Sequence, residues 1–338
     1  MIRAITIALG ALFAAASVTG CGGVSESSAE GGGDGGRLTL VAYSATREAY
    51  EEILPAFQAT ASGSGVSFDQ SYGSSGEQSR AVEAGLPADV IAFSLAPDVT
   101  RLVEAGLVAE DWASGEFEGM VTDSVVVFAV RKGNPKGIQT WDDLVREDVE
   151  VITPNPFTSG GARWNLMAAY GAQRELGKSH EEAVEFLGQL LANTAVQDKS
   201  AREALQTFVG GKGDVMLAYE NEAITVQQKG EELDYVVPDE TILIENPVAV
   251  VTESGNLEKA QAFVDFLRSP AAQRIFAEKG YRPVLGEVLA AFSYPAPSAL
   301  FTIDDFGGWE TVTERFFDRE EGIVARIEQE LGVSTESG

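Results

Sequence analysis

The chain has 338 residues, a length that suggests about two domains, and its 44% hydrophobic and 22% charged content is ordinary for a globular protein and too apolar for a disordered one. A single cysteine and a single histidine exclude intramolecular disulfides, cysteine-based zinc or iron–sulfur centres and His-pair metal motifs, so no cofactor is expected. With 52 acidic residues against 24 basic ones, net −28, nucleic acid is not an expected partner.

The first 36 residues read as an address and a tether. Met1-Ile2-Arg3 is a short basic start, and Ala4 to Val18 is an apolar run too short for a comfortable span of about 20 residues but suited to a signal peptide. It ends in Val18-Thr19-Gly20-Cys21, which resembles the lipobox of bacterial lipoproteins. That resemblance implies a signal peptide over 1–20, lipidation of Cys21 and anchorage to the outer face of the cell membrane, or a periplasmic location. An ordinary signal peptide, or an uncleaved anchor that happens to contain Cys21, is the competing reading. The Gly/Ser/Glu stretch up to residue 36 then forms a flexible leash over 21–36.

From residue 38 strands and helices alternate. Leu38–Tyr43 is a strand and Ala45–Thr60 a helix, its apolar Ala49, Ile53 and Phe57 spaced by four and Pro55 expected to kink it. Val66–Gln70, Ala88–Phe93 and Ser124–Val130 are strands, with helices over Ser75–Ala84 and Asp98–Ala105. Val149–Ile152 is a strand that runs into Thr153-Pro154-Asn155-Pro156, which cannot be helical. Helices follow over Gly161–Ala172, Glu181–Leu191 and Ala201–Phe208, then strands at Val215–Tyr219 and Val248–Val251. The last helices are Leu257–Leu267, Ala271–Glu278 and one long segment from Thr313 to Leu331. This alternation predicts an α/β fold with mainly parallel sheets. In such folds ligands sit at the carboxyl ends of strands, where helix N-termini converge.

Four turns into helices share one chemistry: Ala42–Thr46, Ser71–Gly76, Thr158–Gly161 and Asp198–Ala201. Each puts a hydroxyl or glycine at a helix start, offering unpaired N–H groups and hydroxyl donors within the positive end of the helix dipole. Taken singly, such a residue is usually just an N-cap. Taken together, the turns suit a small dianion with no proton to donate, provided that they meet in space.

The run Ile152–Pro156, continuing through Thr158-Ser159-Gly160-Gly161-Ala162-Arg163-Trp164-Asn165, resembles the signature of sulfate-binding proteins, the extracytoplasmic receptors of sulfate/thiosulfate ABC importers. The blocks Asp69–Ser71, Ala88-Asp89-Val90, Val130–Lys136, Trp141–Leu144, Glu220–Ala223, Tyr281-Arg282-Pro283, Phe301–Asp304 and Gly307–Trp309 extend the likeness over about residues 38 to 316. The resemblance implies two α/β lobes of the periplasmic-binding-protein type (type II). Crossings placed near residues 122 and 247 make lobe 1 residues 37–122 plus 248–338 and lobe 2 residues 123–247. It also implies a monomer that hands sulfate or thiosulfate to membrane permease subunits, without catalysis. The anion would be held by neutral donors alone: the Ser44 N–H, the Ser75 hydroxyl, the hydroxyl and N–H of Ser159, and the N–H groups of Gly160, Gly161 and Ala201. Tyr219 stands where the family pattern has a tryptophan donor, and Arg163 would support the third turn from behind.

The tyrosine keeps a molybdate or tungstate receptor as the alternative. An envelope hydrolase would need a nucleophile with a base; Ser159 has no base nearby in sequence, and the lone His180, at a helix start and expected to be exposed, is not expected to serve. An iron receptor would need clustered tyrosine and carboxylate ligands, whereas these turns offer donors. Glu77, two residues after Ser75, would supply the acceptor that a phosphate receptor requires, but its helical position predicts a solvated face.

Overall fold

Continuous apolar runs, buried on both faces, make the central strands of the sheet. In the computed structural model residues 36–333 and 335 are described, all inside one unit spanning Gly33–Gly338. Cys21, the signal peptide and the leash up to residue 35 lie outside the described residues. The chain begins with β1 (Arg37–Tyr43), a 3-10 turn (Ser44–Thr46), α1 (Arg47–Gln58), β2 (Ser67–Gly73), α2 (Ser75–Glu83), β3 (Val90–Ala92) and α3 (Ala96–Glu104). Then come β4 (Met120–Arg131), a 3-10 turn (Trp141–Val145), β5 (Val151–Pro154), α4 (Gly160–Glu175), α5 (His180–Ala192), β6 (Thr194–Asp198), α6 (Ala201–Val209), β7 (Val215–Tyr219) and α7 (Glu220–Gln228). The remainder is β8 (Leu233–Val236), β9 (Glu240–Val250), α8 (Leu257–Leu267), α9 (Pro270–Glu278), β10 (Arg282–Pro283), α10 (Gly286–Leu289), β11 (Ala299–Phe301), a 3-10 turn (Ile303–Phe306), α11 (Gly308–Phe317) and α12 (Ile323–Glu330).

The strand order is β2-β1-β3-β9-β4-β7-β5-β6. β1 is parallel to β2 and β3, and β5 is parallel to β6 and β7. The long antiparallel strands β9 and β4 join these two parallel groups. β4 pairs with β9 from Met120 to Val125 and with β7 from Val126 to Val130, so one strand passes from one group to the other. Its alternation feeds two cores: Val126, Phe128 and Val130 pack with Trp141 and Trp164, while Val125, Val127 and Ala129 pack with Ile152, Phe208 and Met216. A third core sets Leu38, Leu40 and Ala42 of β1 against Tyr50 and Phe57 of α1 and Phe263 and Phe276 of α8 and α9.

Some elements differ from the sequence reading. The strand expected at Val248–Val251 is the end of an eleven-residue strand that contains Pro247. Proline is tolerated there because its carbonyl accepts from the Phe93 N–H, which puts the missing N–H on the β3 side, one residue beyond the point where β3 ends at Ala92. The single C-terminal helix is two. Asp318 Oδ1 accepts from the N–H groups of Glu320 and Glu321 at 2.9 and 2.8 Å, taking them out of any helical ladder, and α12 restarts after Gly322. α1 continues through Pro55, its buried face being Ala49, Tyr50, Ile53, Leu54 and Phe57. His180 is half-buried, its Nδ1 paired with the Tyr170 hydroxyl at 2.9 Å, where exposure had been expected.

Two outcomes follow from the packing. A Cβ on Gly171 of α4 would lie 2.2 Å from Phe301 Cε2 and 2.8 Å from Phe306 Cζ. Gly171→Ala is expected to lose about 1–3 kcal/mol in urea unfolding, the range for overpacking a core; an unchanged midpoint would contradict the close approach. Asp123 of β4 stands opposite Glu245 of β9 and Arg282 of β10. Burial, then Glu245, push its carboxyl up to about 7 against the pull of Arg282. A folded pKa above the ordinary value of about 3.9 favours the native state at acid pH, and this contribution is lost as pH rises through about 7. Asp123→Asn should therefore gain stability over the parent between pH 4 and pH 8, read from thermal melts; a constant difference across that range would argue against it.

Candidate functional site

The first turns of α2, α4, α6 and α7 carry backbone N–H groups without intrahelical partners. One small cavity brings the starts of these helices together. Ser44, Ser75, Ser159, Gly161, Ala201 and Tyr219 all line it, joined by Tyr43, Ser74, Ser94 and Glu222. Around Gly161 the approach is close: a Cβ there would meet Ser159 Oγ and Tyr219 Cε1 at 3.5 Å and Ala201 Cβ at 3.7 Å. Three turns far apart in sequence thus meet at one point. The free space is about 10 Å³, on the scale of a single small body. Gly160, also expected to line the cavity, does not: a Cβ on it would lie 2.1 Å from Ser94 Oγ and 2.6 Å from Leu95 Cδ2.

Which hydroxyls are free is decided by the caps. Ser200 behaves as an ordinary N-cap, its Oγ accepting from the Glu203 N–H at 3.2 Å. Ser74 and Ser159 occupy the N-cap positions of α2 and α4 but make no side-chain cap bond. The Ser74, Ser94 and Tyr219 hydroxyls are buried and unpartnered. An unsatisfied buried hydroxyl costs roughly 1–3 kcal/mol, so three around one cavity mark a place where the chain leaves donors without a bonded acceptor. Burial raises the phenol pKa of both Tyr43 and Tyr219, so both are donors at neutral pH. Tyr43 donates to Asn246 Oδ1 at 3.1 Å.

Two expected contacts are committed elsewhere. The Ser159 N–H donates to the Asn155 carbonyl at 2.9 Å, leaving its hydroxyl as the group near the cavity. The Ser75 hydroxyl donates to Asp98 Oδ2 at 2.5 Å and accepts from the Ser94 N–H at 3.0 Å, so it braces the turn. Asp98 is buried, and burial pushes its carboxyl up; the Ser75 bond and the nearby Arg163, Arg101 and Arg80 pull it down. Arg163 donates to the Pro156 carbonyl at 3.0 Å and shares a separate small pocket with Asp98, Arg80, Arg101 and Ser159. Burial lowers its guanidinium pKa to about 10.

The sequence reading missed Tyr43, Ser74, Ser94 and Glu222 as lining residues. Glu222 is third in α7 and reaches back, its Oε2 accepting from the Tyr219 N–H at 3.2 Å. Burial pushes its carboxyl up to about 7, the Tyr219 N–H opposing this, so it is largely uncharged in mildly acidic solution. The lining is therefore not purely donor groups, as the sequence had suggested. Glu77 does not line the cavity, and no lysine or arginine does.

A larger chamber of about 440 Å³ adjoins, sharing Ala45 and Glu222 with the small cavity. Across it Glu48 of α1 meets Arg202 of α6 at 2.8 Å and Lys229, just after α7, at 2.5 Å. Burial pushes Glu48 up, but the bonds from Lys229 and Arg202 prevail and hold its carboxyl below the ordinary value. Among the described residues no cluster of three or more metal-ligating side chains occurs, and no helix is long and apolar enough to cross a membrane.

Comparison with known proteins places this geometry. A family model described as bacterial extracellular solute-binding protein matches residues 38–282. The chain is 43% identical over 314 residues to the sulfate-binding protein of Synechococcus elongatus, covering 89% of each chain. It is 36% identical to the thiosulfate-binding protein of Pseudomonas aeruginosa over 83% of this chain and 89% of that one. Among solved structures it superposes on the sulfate-binding protein SubI from Mycobacterium tuberculosis H37Rv with a TM-score of 0.81 at 44% identity, covering 83% of this chain and 99% of the other. These relatives are receptors, which is not an enzyme class, and the α/β architecture is that of the periplasmic binding proteins expected from the sequence. With a profile match over most of its length and a cavity built at converging helix starts, the chain belongs to the bacterial extracellular solute-binding proteins.

Proposed function

We propose that this protein is an extracytoplasmic receptor that captures sulfate, or thiosulfate, between two lobes and delivers it to the permease subunits of an ABC importer. The observation that carries this reading is the set of unpartnered hydroxyls and first-turn N–H groups around one small cavity with no basic side chain in its lining. A fully deprotonated tetrahedral anion supplies acceptors to donors of this kind. Hydrogen bonds to a charged group are worth about 1.5–3 kcal/mol each, and roughly six would leave a net near −8 kcal/mol, about micromolar affinity, after desolvation and ordering costs. The direct contacts in this reading are the Ser44, Gly161 and Ala201 N–H groups and the Ser159 and Tyr219 hydroxyls; Gly160, which does not line the cavity, is left out. Ser75 and Arg163 hold the turns in place.

Residues 37–122 with 248–338 form one lobe and 123–247 the other in this reading, and the crossings fall in β4 and β9, which pair with each other and with one parallel group apiece. Glu48 then belongs to the first lobe and Arg202 and Lys229 to the second, so their ion pairs tie the lobes together over the cavity. The receptor works as a monomer, lipidated at Cys21 and held at the outer face of the cell membrane. Molybdate or tungstate is the rival ligand because Tyr219 replaces a tryptophan.

Calorimetric titration with sulfate, thiosulfate, molybdate and phosphate tests the reading. Sulfate or thiosulfate should bind near micromolar or tighter, and Ser159→Ala should weaken this about tenfold to a hundredfold with the fold intact. Molybdate binding with no sulfate binding would overturn the choice of anion. Phosphate binding as tightly as sulfate would give Glu222 the acceptor's role and overturn it too. Glu48→Gln should raise the ligand dissociation rate about threefold to tenfold with little effect on association, because a partly buried ion pair acts after encounter; an unchanged dissociation rate in stopped flow would remove the inter-lobe tie.

A further inference from the structure

Ser94 lies in the turn between β3 and α3, outside the four helix-start turns that the sequence marks. Its backbone is fixed from three directions. Its N–H donates to Ser75 Oγ at 3.0 Å, and its carbonyl accepts from Trp164 Nε1 at 2.7 Å and from Asn246 Nδ2 at 3.1 Å. Those partners come from α2, α4 and β9, so the residue cannot shift without disturbing three elements. Its side chain is only 2% exposed, yet its hydroxyl has no partner and lines the small cavity. The same hydroxyl sits against the first residue of α4, where a Cβ on Gly160 would collide with it. The Tyr219 hydroxyl, equally buried and unpartnered, lies beside it.

The two hydroxyls, and the Asn246 amide near Tyr219, are close enough to interact, but no bond of full hydrogen-bond geometry satisfies either hydroxyl. A rigidly held backbone around a free hydroxyl is the arrangement of a preorganised donor, whose orientation is set before the ligand arrives. Resting on the anion reading above, we propose that the Ser94 hydroxyl is a direct contact of the bound oxyanion, acting with the Tyr219 hydroxyl on the same side of the ion. The pair supplies from two alcohols the donation that the family pattern draws from one indole N–H. Tyrosine at 219 is then compatible with tight binding because Ser94 provides the second donor.

Ser94→Ala tests this with two readouts that move in opposite directions. Removing a buried hydroxyl that has no partner should leave the melting temperature of the ligand-free protein unchanged or higher. Sulfate affinity by calorimetry should fall about fivefold to thirtyfold, and the melting-temperature rise on adding sulfate should shrink accordingly. Tyr219→Phe combined with Ser94→Ala should show a non-additive loss, as expected for donors to one ion. Affinity within twofold of the parent would overturn the proposal, and so would a lowered ligand-free melting temperature with unchanged affinity, which is the signature of a structural hydroxyl. Ser159→Ala measured alongside separates the two readings. If it weakens sulfate and Ser94→Ala does not, only the role of Ser94 falls; if the parent protein binds no sulfate, the receptor reading falls with it.

Discussion

Burying a hydroxyl without an acceptor is unfavourable by roughly 1–3 kcal/mol, and this fold does so three times around a single cavity. Native proteins rarely tolerate such groups unless something else satisfies them. Everything else in the region keeps those donors in place and unsatisfied by the chain itself. Ser74 and Ser159 stand where N-caps stand and decline to cap, while Ser200 in the equivalent position of α6 caps in the ordinary way. The contrast separates a helix start that serves its own backbone from one that is left open toward a ligand.

The layer behind the cavity explains how the donors are held. Asp98 takes the Ser75 hydroxyl, Ser75 takes the Ser94 N–H, and Trp164 and Asn246 hold the Ser94 carbonyl. Arg80, Arg101 and Arg163 surround Asp98 on the far side. Full positive charge thus sits outside the cavity lining, beside the buried Asp98. A direct arginine or lysine contact would accept almost any small anion. Neutral hydroxyl and amide donors discriminate by whether the guest carries a proton, because they offer nothing for that proton to bond to. Glu222 complicates this, since its carboxyl borders the cavity, but its Oε2 is engaged by the Tyr219 N–H and burial favours its neutral form below about pH 7.

Much of this was readable from residues alone, for reasons that are local. The continuous apolar run Val215–Tyr219 and the helix Leu257–Leu267, with its apolar face of Ala260, Phe263, Val264 and Leu267, fall where the sequence puts them. The helix-start turns were visible because glycine and serine cluster there. What could not be read is which hydroxyl faces inward. Ser74 and Ser75 are adjacent and chemically identical; the choice is made by Asp98, which lies in another helix and captures Ser75. Ser94 sits in a strand-to-helix turn like the others, yet its neighbours Phe93 and Leu95 are fully buried and disguise it as core. Glu222 looked like one acid among many, and only the back-bond to Tyr219 turns it to the cavity. The break at Asp318 escaped because a side-chain acceptor can interrupt a helix that hydrophobic spacing would continue.

The central claim is that one small oxyanion sits among uncharged donors at the meeting point of these helix starts. A crystal structure of the protein grown with selenate in place of sulfate, with anomalous data at the selenium edge, tests it directly. The account predicts one strong selenium peak beside Gly161, within reach of the Ser159, Ser94 and Tyr219 hydroxyls and with no arginine or lysine nitrogen in hydrogen-bond contact. A peak among Arg80, Arg101 and Arg163, or beside Arg202 and Lys229 with the small cavity empty, would contradict it.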